Sequence, residues 1–330
     1  MAIKDLHLLP RVDDSWSFLY VQQCRVEQED KSISVWEDTG RTAVPCATLS
    51  LLMLGPGTAI THAAVRTLVE SGCMILWCGE EGVRVYGVGL GETRSSRNLL
   101  RQASAWANPS TRLAVLRRMY ARRFDEKVDE SLTLQQLRGR EGIRVRASYA
   151  EASRVSGVEW KGRNYDRNNW KKADPINRAL SCANSCLYGL CHAAIAAAGY
   201  SPAIGFVHSG KALSFVYDIA DLYKTVTTIP AAFGVTQANP KDMEGTVRRA
   251  MRDLFFEQRL LERVLPDLAF LFDGFGEGVE ASLDSLIDSD DALPTGLWDP
   301  EAGTVEGGVN YSEEADGRDD PRTSPAEPEG

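Results

Sequence analysis

The sequence predicts an α+β protein: a small N-terminal β-rich domain over residues 1–92, a larger all-α domain over 93–278, and a disordered acidic tail over 279–330. Three observations carry this. Short apolar runs separated by Gly, Pro and Asp turns fill the first ninety residues. Helical periodicity replaces them from about residue 95. From residue 276 onward the chain is mostly Gly, Asp, Glu, Ser and Pro, which bury too little apolar surface to fold alone.

In order along the chain, SFLYVQQCRVEQED followed by SISVWED reads as a hairpin. TLSLLMLG is a further strand, closed by Gly55-Pro56-Gly57. Thr61 caps a short helix, THAAVRTLVESG, that stops at Gly72. CMILWCG resumes as a buried strand and VRVYGVG pairs with it across a Gly79–Gly82 turn. The Gly-Pro-Gly loop completes no phosphate-loop pattern, so it reads as a turn. RNLLRQASAWA and PSTRLAVLRRMYARRF are helices separated near Pro109, with the proline suited to a first turn. The second carries Arg112, Arg117, Arg118, Arg122 and Arg123, spread over several sides. LQQLRGREGIRVRASYAEASRVSG is a long helix bearing Glu141. WKGRNYDRNNWKKAD is a polar loop leading into the small-residue helix LSCANSCLYGLCHAAIAAAGY. GTVRRAMRDLFFEQRLLERVLPDLAFLF forms at least one more helix.

Composition narrows the function classes. At 43% hydrophobic and 25% charged, the chain is ordinary for a globular protein. The sequence is read as carrying no run long and apolar enough to cross a bilayer, and as lacking a signal peptide, hence as cytoplasmic. Seven cysteines, an odd number, argue against a disulfide framework. Cys182, Cys186, Cys191 and His192 match no usual zinc spacing. The net charge of −9 hides an asymmetry: residues 266–330 hold 18 of the 46 acidic residues and two of the 37 basic ones, so the tail carries −16 and the first 265 residues +7. A basic body suits a polyanionic partner, though a solvated mixed-charge surface would have the same composition.

The chemistry concentrates in residues 203–224, AIGFVHSGKALSFVYDIADLYK. An apolar run holding His208, Lys211, Asp218 and Asp221 must pair its charges. Asp218 and Asp221 are three apart, which on a helix places both carboxylates near one face. Two adjacent anions repel unless a cation joins them. Glu141 is flanked by Arg138, Arg140, Arg144 and Arg146. Glu, His and Asp together make a mixed oxygen–nitrogen site suited to Mg²⁺ or Mn²⁺. Each residue also has an ordinary alternative: a hydrogen-bonded core histidine, Asp218 or Asp221 paired to Lys211 or Lys224, and Glu141 bridged to an arginine one turn away.

The runs QLRGREGIRVRASYA, WKGRNYDRNNW, DPINRALSCANSCLYG and AAGYSPAIGFVHSGKALSFVYDIADLYK resemble the CRISPR-associated integrase family, in particular its subtype I-E branch. LGPGTAITHAAVRTLVESGCMILWCGEEGVRVY fits as well, so the resemblance spans residues 15–275. It implies a helical catalytic domain, a homodimer, and a heterohexamer in which two such dimers grip a central dimer of a small ferredoxin-like adaptation protein. It implies double-stranded DNA substrates, a protospacer and a leader–repeat junction, joined by 3′-OH transesterification with Mg²⁺ or Mn²⁺. The family's metal ligands fall on Glu141, His208 and Asp221, and Asp218 matches an additional acid. Lys211 and Tyr217 match residues lining the catalytic pocket. Tyr165 and Tyr188 match aromatics that contact the incoming DNA end, with Arg138 beside them. Arg66 and Arg84 match backbone-holding positions, Arg248 joins that DNA-binding set, and Tyr20 is the aromatic that brackets the duplex end. The tail offers no residue to match. The competing expectation is a non-catalytic nucleic-acid-binding scaffold, which the basic body alone would satisfy but which leaves the acids and the histidine without a purpose.

Overall fold

A computed structural model describes residues 18–30, 32–46, 49, 51–80, 85–89, 96–124, 129, 131–163, 174–275, 297–299 and 303–305. The first ninety residues supply β1 (Phe18–Val21), β2 (Arg25–Glu29), β3 (Ser32–Glu37), β4 (Gly40–Pro45), β5 (Leu51–Leu54), β6 (Ala59–Ile60), α1 (His62–Glu70), β7 (Met74–Cys78) and β8 (Val85–Gly89). They make two four-stranded sheets, ordered β1-β5-β7-β8 and β4-β3-β2-β6. In the first, β1, β5 and β7 run parallel and β8 turns back antiparallel.

The expected first hairpin is cut in two. β2 and β3 pair antiparallel, but β1 leaves them and pairs parallel with β5. The break falls at Gln22–Cys24, where Gln23 takes a φ of 49° and donates its N–H to the Pro56 carbonyl at 2.9 Å. Gly55 is required there by close approach. A Cβ at Gly55 would collide with the Tyr20 hydroxyl and lie 2.7 Å from its Cζ. The Gly-Pro-Gly segment therefore serves strand-to-strand packing.

β5 and β7 are apolar throughout because both faces are covered. Leu52, Leu54 and Ile75 pack with Val26, Ile33 and Val35 of the second sheet and with Ala64 and Leu68 of α1. Leu51, Met53, Met74 and Leu76, one position out of phase, pack against Ala193 and Ala197 of the helical region. The side-chain period of two thus joins the β-rich part to the helices.

The helices are α2 (Arg97–Ala107), α3 (Pro109–Phe124), α4 (Leu134–Ser156), α5 (Pro175–Ala197), α6 (Ser214–Ala220), α7 (Thr228–Ala238), α8 (Met243–Glu257) and α9 (Leu260–Phe272). α4 opens with a capping box between Thr133 and Gln136 and closes on left-handed Gly157. The run expected after residue 244 is two helices, parted at Arg259, whose φ is 46°. α7 was not anticipated: TIPAAFGVTQA holds a proline and two threonines that mask its apolar face.

α5 corrects one expectation. Its 23 residues are long and apolar enough to cross a bilayer by length and composition. It is instead a core helix, its most apolar stretch 67% buried inside the protein. Its Ala, Cys and Gly side chains let α7 and α8 close on one side and α6 and α9 on another. All seven cysteines are free and buried.

Residues up to Glu280 form one compact unit and those from Ala281 a second. Within the segment expected to be a disordered tail, β9 (Leu297–Asp299) and β10 (Gly303–Val305) pair antiparallel.

Candidate active site

The site grows from the segment between α5 and α6. Gly205 is packed so tightly that a Cβ would lie 2.7 Å from the Ser214 Cβ. This brings the backbone of Phe206–His208 down onto α6. Asp218, in the middle of α6 and 3% exposed, accepts the backbone N–H groups of Phe206 at 2.6 Å, Val207 at 3.0 Å and His208 at 2.9 Å. The same carboxylate lies 2.7 Å from His208 Nδ1. A carboxylate only accepts, so Nδ1 carries the proton and Nε2 is the ring nitrogen left for another partner. The hydrogen bond to Asp218 pushes the imidazole pKa up, against an opposing effect of burial, with Asp221 adding to the rise.

Asp221 caps the C-terminus of α6 and faces a different set of partners. Its Oδ1 takes Lys224 Nζ at 2.6 Å and its Oδ2 takes Arg123 Nη2 at 2.8 Å. Arg123 comes from the last turn of α3 and also donates Nε–H to the Asp221 backbone carbonyl at 3.0 Å. Its Nη1 pairs with Oε1 of Glu141 on α4. One guanidinium, 9% exposed, therefore bridges two acids that stand eighty residues apart in the chain. Burial alone would push the Asp221 carboxyl up; Lys224 and Arg123 outweigh it and hold it below the ordinary carboxylate value. Burial would in turn discharge Lys224, but Asp221 and Tyr188 keep its pKa raised. Burial and the Glu141 carboxylate push the phenol of Tyr120, one turn before Arg123, up to about 12.

Aromatic rings wall the cluster. Tyr217 meets His208 edge-on at 5.8 Å and Tyr188 of α5 at 5.0 Å. Lys224 Nζ sits 4.9 Å above the Tyr188 ring.

Glu141, His208, Asp218, Asp221, Tyr188 and Tyr217 are thus gathered in one region, and the expectation for the two aspartates needs correction. Asp218 and Asp221 do not form a shared dicarboxylate face. α6 ends at Ala220, and each acid is neutralised separately, Asp218 by three N–H groups and an imidazole, Asp221 by two cations. Glu141 pairs with an arginine from another helix, not with one of its flanking four. Lys211 starts the turn into α6, bound through its backbone to the Ser214 hydroxyl at 3.1 and 2.8 Å. Arg138 is exposed on α4, one turn before Glu141. Tyr20, Arg66 and Arg248 lie on β1, α1 and α8, away from the cluster's contacts. Tyr20 hydrogen-bonds Gln22 at 2.7 Å, Arg66 pairs with Glu70 at 3.5 Å, and Arg248 with Glu80 at 2.8 Å. Arg84 and Tyr165 lie outside the described residues. Arg123 escaped the sequence reading because nothing in RRMYARRF distinguishes it from four other arginines on that helix.

Among the described residues no three His, Cys, Asp or Glu side chains stand close enough together to hold an ion as they are. The donor set still fits a hard divalent cation. Two carboxylates meet on the two Nη atoms of one guanidinium, and the His208 ring lies close enough to Asp221 to feel its charge.

The family model for CRISPR associated protein Cas1 matches residues 18–129 and 121–252. This chain belongs to the Cas1 family. The Thermus thermophilus CRISPR-associated endonuclease Cas1 2 is 51% identical over 329 residues, covering 100% of this chain and 98% of that protein. The Escherichia coli CRISPR-associated endonuclease Cas1 is 44% identical over 254 residues, 77% of this chain and 83% of that one. The crystal structure of a TtCas1–DNA complex superposes with a TM-score of 0.73 at 53% identity, covering 81% of this chain and 100% of that chain. The Cas1 fold accounts for the β-rich N-terminal and helical C-terminal halves seen here.

Proposed function

We propose that this chain is a metal-dependent DNA endonuclease and integrase of CRISPR adaptation, acting at the cluster of Glu141, His208 and Asp221. The observation that carries the reading is the convergence of Glu141 and Asp221 on one cation position, with the His208 ring close to Asp221, in a chain of the Cas1 family. Glu141, Asp221 and His208 Nε2 would hold Mg²⁺ or Mn²⁺. When bound, the ion supplies Lewis acidity at a scissile phosphate. Asp218 fixes the imidazole tautomer and its direction, as a carboxylate behind a ligating histidine does. Tyr188 and Tyr217 offer ring faces and edges to an unpaired DNA end. Arg138 and Lys211 offer exposed charge to the backbone.

The reaction proposed is attack of a protospacer 3′-OH on a phosphodiester at the leader–repeat junction, then a second attack on the opposite strand. With water as nucleophile the same site gives nuclease activity. No covalent enzyme intermediate is needed. The chain works as a homodimer, two of which flank a small ferredoxin-like adaptation protein, and it works in the cytoplasm, where seven free buried thiols stay reduced.

The deciding experiment presents a branched or leader–repeat DNA to the purified chain with Mn²⁺ and with EDTA. Strand joining or cleavage with the metal, and none in EDTA or in Asp221→Asn, supports the reading. DNA binding without either reaction leaves the scaffold function.

A further inference from the structure

Arg123 uses the oxygens that the proposed ion needs. Its Nη1 is on Glu141 Oε1, its Nη2 on Asp221 Oδ2 at 2.8 Å, and its Nε on the Asp221 carbonyl at 3.0 Å. The other Asp221 oxygen is held by Lys224 at 2.6 Å. The two acids and the two bases form a cluster that is already neutral. Its side chains are 9% to 25% exposed, so little water screens them. Adding a divalent ion without moving a cation would place four positive charges on two carboxylates.

Lys224 touches only one of the acids and is also held over the Tyr188 ring. Arg123 stands between both. Its neighbour Arg122 ties the end of α3 to Asp267 of α9, which the Tyr223 hydroxyl also engages at 2.5 Å. The end of the helix is therefore anchored, and Arg123 would leave by its side chain alone, freeing an oxygen of each acid, whereas Lys224 would free one oxygen of Asp221.

We propose that Arg123 is an internal counter-ion of this site: it holds Glu141 and Asp221 together, and a divalent cation binds by displacing its guanidinium, so that Arg123 sets how tightly the site takes metal. This rests on the metal-dependent reading above. The displacement is an exchange of one ion pair for another and involves no bond chemistry. It makes the metal affinity of the DNA-free protein lower than the ligand set alone would give, because a buried charge pair must first be separated.

The test uses the full chain without DNA and Mn²⁺ alone, followed by calorimetry and by the electron paramagnetic resonance of free Mn²⁺. Arg123→Gln should bind Mn²⁺ about tenfold more tightly than the wild type, and Arg123→Lys should fall between them. In EDTA the Gln variant should melt lower than wild type, and Mn²⁺ should raise its melting temperature by more. Equal or weaker binding by Arg123→Gln overturns the counter-ion role while leaving the metal site standing. Absence of binding in wild type and variant alike, matching Asp221→Asn, overturns both. Should Arg123→Gln not fold, the Nε–H resonance of Arg123 in the wild type, assigned with Arg123→Lys, answers the question. It should shift in a saturable way as Mg²⁺ is added, and an unmoved signal overturns the proposal.

Discussion

His208 is joined to the carboxylate of Asp218 twice, through its ring Nδ1 at 2.7 Å and through its backbone N–H at 2.9 Å. The first bond raises the His208 pKa above its ordinary value of 6.5. A raised folded-state value means that the protonated ring stabilises the fold. That contribution is complete below the unfolded value and is lost as pH rises through the folded one. Melting temperatures in EDTA, taken from about pH 5 to about pH 9, should show wild type ahead of His208→Gln at the acid end. The gap should close as pH rises; a gap that widened would contradict the pairing.

Asp218 supports more than the ring. Replacing it with alanine leaves three N–H groups beside the tightly packed Gly205 turn without their acceptor. Urea denaturation should register a loss of about 3 kcal/mol or more. Asp218→Asn keeps one acceptor oxygen and should recover part of it. Metal affinity should fall in both variants, since His208 is no longer aimed.

Asp221→Ala removes one acid from between two cations. With Lys224 deprived of its acid and Arg123 left with Glu141 alone, the metal-free protein should lose about 3–5 kcal/mol. His208→Ala, at a ring whose side chain is 44% exposed, should leave stability nearly intact at alkaline pH, where the ring is neutral. Integration on a leader–repeat DNA should be abolished by both. Activity in either variant would remove that residue from the ligand set.

These outcomes rest on contacts of unequal visibility in the sequence. The strands and most helices are written in local signals: Thr61 before α1, the Thr133–Gln136 box, the alternating faces of Leu51–Leu54. Glu141, His208 and Asp221 are grouped in the sequence by a resemblance to family motifs, and the structure brings Glu141 and Asp221 onto one guanidinium. Their partners were not legible in the sequence. The Arg123 bridge depends on the phase at which α3 crosses α4 and α6, and no local pattern encodes that. The same blindness hid the departure of β1 from its hairpin, a choice made by the parallel ladder with β5.

Arg138 is exposed on α4, whereas Arg248 is held by Glu80 at 2.8 Å and is 22% exposed. Arg138→Ala should weaken DNA binding at every sequence and lower the magnitude of the salt slope by about 1. Arg248→Ala should change the slope less, because its charge is already partly neutralised. Filter binding over a range of NaCl concentrations distinguishes the two; equal slopes would place both on phosphate.

Residues 266–330 carry −16 against +7 for the first 265 residues. Truncation after Glu280 should raise the affinity for duplex DNA, most clearly at low salt where the competing charges are least screened. Unchanged affinity would leave the tail no electrostatic role.

Arg122 and Arg123 are consecutive, yet one reaches Asp267 and the other Glu141 and Asp221. Each step along a helix turns the chain by about 100°. A residue inserted in the first turn of α3 would carry Arg122 into the place of Arg123 and Arg123 one step beyond it, and Asp267 would lose its arginine. Lineages that carry this cluster can therefore lengthen or shorten that helix only by near-whole turns, so its length should vary in jumps.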